Sequence, residues 1–130
     1  MTKYELHYAD INLGLEADVP CYKYETFNEL IGACRCRIKQ TLETVYLLTY
    51  EIDYQDKINP NPKFPETEVF VTSSPSALNL HLDNIKNKLW YHKNIAINKI
   101  FLQEYESYED AYQVAIMMKE ISPLCYRKNK

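Results

Sequence analysis

Two glycines in 130 residues is a scarcity that removes whole classes of chemistry. Loops that cradle phosphates depend on backbone positions that only glycine fills easily, because the chain must turn tightly and approach the ligand closely. Nucleotide-binding loops are therefore not expected. The Gly-x-Ser-x-Gly elbow of an esterase-type nucleophile is missing as well. The serines at 73, 74 and 76 fall where a helix begins and are explained by capping.

Metal-ligating residues are few and poorly spaced. The thiols are Cys21, Cys34, Cys36 and Cys125. Cys34 and Cys36 sit on a sequence that reads as helix, where neighbours two apart point about 200° away from each other, so they cannot share one ion. No two of His7, His81 and His92 have the spacing of a metal motif. His81 borders an apolar helical stripe and reads as a core-edge histidine bonded to backbone. No metal and no cofactor is expected.

Charge excludes a further class. The formal net charge is −3, with 7 Lys+Arg against 10 Asp+Glu in the first 65 residues and 8 against 8 in the last 65. Neither half has the basic excess of a duplex-binding domain. No apolar run approaches the roughly 18 residues of a membrane span, and the opening Met-Thr-Lys-Tyr-Glu has no apolar leader. The expectation is a cytoplasmic, non-secreted chain with reduced thiols.

What is abundant is tyrosine, at 12 residues. Tyr is a strand former with an apolar ring and a polar tip. It fits half-wet strands or a binding surface. Period-two alternation marks strands at 3–9 and 21–25, which could pair as a hairpin. Residues 44–54 are the strongest strand, with Tyr46, Leu48, Tyr50, Ile52 and Tyr54 on one face. Residues 67–73 and 97–105 read as strands too.

Three helices are expected. Thr26-Phe27-Asn28-Glu29 is a capping box that opens a helix over about 27–40. Gly32 lies inside that helix, where a close helix–sheet contact would account for it. Ser74-Pro75 opens a second helix to about 91, with Leu78, Leu82, Ile85 and Leu89 on its apolar stripe. A third follows Ser107, with Ala111, Val114, Ala115, Met118 and Ile121 inward. Prolines 60, 62 and 65 make 55–66 an extended loop, and about 124–130 reads as a flexible tail. The whole chain, 1–130, reads as one domain. The expected fold class is α+β: two layers, a mostly antiparallel sheet of about five strands with three helices on one face, in the order β-β-α-β-β-α-β-α.

Candidate sites are surface clusters. Glu104, Tyr105, Glu106, Tyr108, Glu109 and Asp110 crowd the junction of the last strand and last helix. Glu51, Asp53 and Tyr54 end the long strand. Carboxylates beside tyrosines suit docking onto a basic protein, since Tyr gives contact area and acids give steering. Lys86, Trp90, Tyr91 and Lys93 form the basic–aromatic grouping, a pattern that suits single-stranded nucleic acid.

The run from Val45-Tyr46-Leu47-Leu48-Thr49 through Glu68-Val69-Phe70-Val71, the second helix and residues 99–120 loosely resembles the strand–strand–helix–strand–helix order of GIY-YIG nucleases. The glycines of both signature strands are missing, and Ala115 occupies the rough place of the metal-binding Glu, so no site residue carries over. The resemblance implies at most a degenerate relative.

The function expected from these readings is a non-enzymatic binding protein working through an acidic, Tyr-rich surface. A phage- or mobile-element-encoded inhibitor of a host nucleic-acid-binding defence protein fits, and the Lys-, Asn-, Ile- and Tyr-rich usage suits an AT-rich genome. The alternatives are a divergent nucleic-acid-binding protein or metal-dependent nuclease, and a structural subunit presenting a Tyr-bearing outer sheet face. Homo-oligomerisation is left open.

Overall fold

The computed structural model describes residues 3–13, 18–54, 66–92 and 94–121, with backbone alone over 119–121. The tail expected over 124–130, and all but Glu66 of the loop expected over 55–66, lie outside the described residues. The elements are β1 (Tyr4–Ala9), β2 (Cys21–Tyr24), α1 (Phe27–Cys36), β3 (Val45–Tyr54), β4 (Glu66–Thr72), α2 (Pro75–Tyr91), β5 (Ile95–Ala96), β6 (Lys99–Tyr105) and α3 (Tyr108–Ile121).

The fold is α+β, with a mixed open sheet in the order β2-β1-β6-β3-β4. β1 and β2 form the expected antiparallel pair, β3 is antiparallel to both β4 and β6, and β1 runs parallel to β6. The strand expected over 97–105 begins two residues later, at Lys99, and a separate two-residue strand precedes the expected range. Ile95 and Ala96 pair with the end of β3, Ile97 turns into the core at 1% exposure, and the Asn98 carbonyl takes the Glu5 N–H before β6 begins.

Alternation decides the layers. Leu6, Tyr46, Leu48, Tyr50, Ile52, Ile100 and Leu102 share the face covered by α1 and α2, and with Leu30, Ile31, Cys34, Leu78, Leu82 and Ile85 they form the main core. Arg35 on α1 donates to Asn79 and Asp83 on α2, tying the two helices side by side. The third helix departs from the expected arrangement. Val45, Leu47 and Thr49 point to the reverse face, yet all are buried. α3 covers them with the small side chains of Ala111 and Ala115, both buried, and packs chiefly on β4. Two alanines a turn apart let its backbone lie close to the sheet.

The tyrosines also depart from a surface reading. Tyr4, Tyr8, Tyr22, Tyr24, Tyr46, Tyr50 and Tyr54 share the parity, or the cross-strand register, of Leu6 and Leu48. They face the α1/α2 layer, and all but Tyr22 pack in or against the core. The Tyr-bearing outer face needed by a structural subunit is therefore the inner one. Strand-rich Tyr content here serves packing, with hydroxyls reaching the rim of the layer.

α1 opens as its capping box predicts, since Thr26 Oγ1 accepts from the Glu29 N–H at 3.1 Å. It ends at Cys36, four residues before the expected end, because the Lys39 N–H is given to Tyr46 Oη at 2.7 Å instead of to a helical carbonyl. Gly32 meets no close neighbour: a methyl placed there has nothing within 4 Å. The expected tight helix–sheet contact is absent. Gly32→Ala should therefore stabilise the chain by about 0.5–1 kcal/mol through helix propensity. An upward shift of the urea midpoint checks this, and a downward one contradicts it.

Candidate functional site

The parallel pairing of β1 and β6 sets their C-terminal ends side by side. In open sheets the space beyond such ends is where ligands bind. A cavity of about 440 Å³ opens there, between the turn after β1 and the start of α3. Its floor and rim hold Asp10, Glu104, Glu106 and Asp110, with Tyr105 and Gln103 beside them. Ile11, Leu13 and Val19 line it as well. The lining thus combines carboxylates with apolar side chains.

Each wall has a local cause. Asp10 Oδ1 accepts the Asn12 N–H at 2.8 Å, which fixes the turn leaving β1. Ser107 Oγ accepts the Asp110 N–H at 3.2 Å and caps α3. That cap holds Asp110 in the first turn, where the helix dipole favours a carboxylate. Glu106 and Asp110 are exposed, whereas the Glu104 side chain is fully buried.

Glu104 is the anchor of the floor. Its carboxylate accepts from Tyr8 Oη at 2.5 Å, from the Ile11 N–H at 3.3 Å and from Lys39 Nζ at 3.0 Å. Burial and this bond push the Tyr8 hydroxyl well above its ordinary pKa, and the same carboxylate raises that of Lys39. Arg37 stands over the rings of Tyr8 and Tyr22, with centroids 5.3 and 4.5 Å away. The network binds β1, β6 and the segment after α1 into one rigid end of the sheet.

Of the residues expected at this junction, Glu104, Tyr105, Glu106 and Asp110 line the one cavity, and Asp10 joins them from more than 90 residues earlier in the sequence. Glu109 is exposed and does not line the cavity. Tyr108 turns the other way: its hydroxyl accepts the Ser73 N–H at 2.9 Å, and its ring stacks on Tyr112. Glu51, Asp53 and Tyr54 lie at the far end of β3, about 20–30 Å along the strand from Val45, which pairs with Tyr105. There Tyr54 Oη donates to Glu66 Oε2 at 2.5 Å, and the bond pushes the Tyr54 pKa up to about 12. The two acidic clusters are separate.

The basic–aromatic grouping is partly assembled. Lys86 and Trp90 line a cleft of about 390 Å³ with Tyr4, Phe27 and His92. Tyr91 is exposed and outside that cleft. Lys93 lies outside the described residues. His81 bonds to side chains where backbone was expected. It stacks on Phe70 at 4.2 Å, and its Nε2 lies 3.4 Å from Tyr50 Oη. Burial holds its pKa below the ordinary value. Ala115, in the rough place where the loose nuclease resemblance would put a metal ligand, is buried. Among the described residues Cys21, Cys34 and Cys36 are free thiols, and no helix is long and apolar enough to cross a membrane. Comparison with family models, curated proteins and solved structures returns no match to this chain.

Proposed function

We propose that the chain is a non-enzymatic binding protein whose acidic cavity takes a Lys or Arg side chain of a basic partner. The observation that carries this is one cavity whose lining joins apolar side chains (Ile11, Leu13, Val19) to the carboxylates of Asp10, Glu106 and Asp110, while Glu104 is already paired with Lys39. Long basic side chains have this same division, an aliphatic stem and a charged head. The partner class is a nucleic-acid-binding protein, because its groove already carries such side chains for phosphates. An inhibitor encoded by a phage or mobile element would act by occupying that groove.

The test is retention of host-cell proteins on the immobilised chain, compared with the double variant Glu106→Lys/Asp110→Lys. The retained protein should be basic, be released by an oligonucleotide, and bind the variant roughly tenfold or more weakly, because reversal places like charges together. Both positions are exposed, and reversing Asp110 in the first turn of α3 costs about 1 kcal/mol through the helix dipole, so the variant should stay folded with a loss of stability no larger than about 2 kcal/mol by urea unfolding. Equal retention by parent and variant sinks the reading. So does magnesium- or manganese-dependent cleavage of plasmid by the purified chain, or quenching of Trp90 fluorescence by single-stranded DNA with no protein retained.

A further inference from the structure

The reverse face of β1 carries a constellation with no part in the acidic cavity. Glu5 and His7 are two apart on a strand, so they share one face. β2 brings Cys21 directly opposite His7 in the hairpin register. The three ligand atoms, one from each side chain, all lie within 4.8 Å of one another. His7 Nε2 is 3.0 Å from Glu5 Oε1 and 3.7 Å from Cys21 Sγ.

We propose that Glu5, His7 and Cys21 form a three-ligand site for zinc. Tetrahedral zinc with its usual bond lengths would set nitrogen and oxygen ligands about 3.4 Å apart, and nitrogen and sulfur about 3.5 Å apart. The two separations found are within a few tenths of an ångström of those, so closure needs only small side-chain adjustments. Thiolate, imidazole and carboxylate together suit zinc better than the hard, oxygen-seeking cations.

The geometry separates this from a thiol–imidazole–carboxylate relay. In a relay the nucleophile meets one ring nitrogen and the carboxylate the other. Here Glu5 and Cys21 both address Nε2, so no proton can pass through the ring between them. Instead three ligand atoms converge on one region. Phe101 stacks on the His7 ring at 4.3 Å, with 6° between the planes, which fixes the imidazole. Cys21 is exposed and Glu5 and His7 are half-buried, leaving a route for the ion and a fourth position for water. Binding converts the Cys21 thiol to thiolate and releases one proton to solvent.

Cobalt titration of the reduced full chain tests the site, because cobalt reports its ligands by absorption. The expected result is one cobalt per chain with a sulfur-to-cobalt charge-transfer band, displaced one for one by zinc. Cys21→Ser should abolish that band. His7→Gln and Glu5→Gln should each weaken binding by more than the roughly 10–100-fold that losing an outer-shell partner costs. Cys36→Ser and Cys125→Ser should change nothing. Cys21 is at an exposed strand position, and an unchanged urea midpoint for its variant separates ligand loss from unfolding. No saturable cobalt binding by the parent, or a charge-transfer band that survives Cys21→Ser or disappears with Cys36→Ser or Cys125→Ser, overturns the proposal.

Discussion

Glu104→Ala should destabilise the chain by about 3 kcal/mol, far more than alanine at Glu106 or Glu109 two and five residues on. The Glu104 side chain is fully buried and accepts three hydrogen bonds, from Tyr8, Lys39 and the Ile11 backbone. Bonds to a charged acceptor contribute about 1.5–3 kcal/mol each, and a donor left buried without a partner adds its desolvation cost. The sum is reduced because the Lys39 side chain is 46% exposed, so its ammonium can return to water. Glu104→Gln keeps the shape and one acceptor and should lose about half as much. Urea unfolding with an unchanged slope measures both. A midpoint shift for Glu104→Ala inside the roughly 0.5 kcal/mol range of surface substitutions would show that the network holds nothing.

The contrast between Glu104 and Glu106 shows what a sequence can reveal when alternation is followed to its end. Ile100, Leu102 and Glu104 are two apart, and the strand buries all three. The period that marks the strand also assigns Glu104 to the buried face, whereas its charge groups it with the acidic run that follows. The same period places Glu5 and His7 together. Metal motifs are recognised by helical and linear spacings, and two residues with one between them on the same strand face match neither. Cys21 could be added only once the hairpin register was known, because the turn between β1 and β2 does not fix it.

Other features had no local signal at all. The parallel pairing of β1 with β6 joins strands more than 90 residues apart, and it is this pairing that creates the cavity and recruits Asp10. The reverse-face position of α3 was written more faintly, in Val45 and Leu47. Apolar residues on both faces at the start of β3 demand cover on both sides, and Ala111 and Ala115 are small enough to supply it at close range. The helices and strands themselves were legible because caps, proline and apolar spacing agree with one another along most of the chain.

Raising the pH from 8 to 12 should remove several kcal/mol of stability, beginning near pH 9 with Cys34. Burial in the core pushes the Cys34 thiol from 9.0 up to about 12, against the lesser pull of Arg37 and Arg35. Burial likewise pushes Tyr50 from 10.0 up to about 12, with Glu68 and Glu66 adding to it. Both groups are neutral when protonated, and the folded state holds their protons more tightly than the unfolded chain does. Their contribution is whole below the unfolded values and is lost as pH climbs towards the folded ones. The windows are therefore about pH 9–12 for Cys34 and 10–12 for Tyr50. At about 1.4 kcal/mol for each unit, Cys34 alone accounts for up to about 4 kcal/mol. Cys34→Ala starts from lower stability because of the cavity it leaves, but its urea midpoint should fall less steeply than the parent's from pH 9 to 10, the remaining decline coming from Cys21, whose thiol burial also pushes up. Parallel decline of the two under reducing conditions would assign the alkaline loss to other groups.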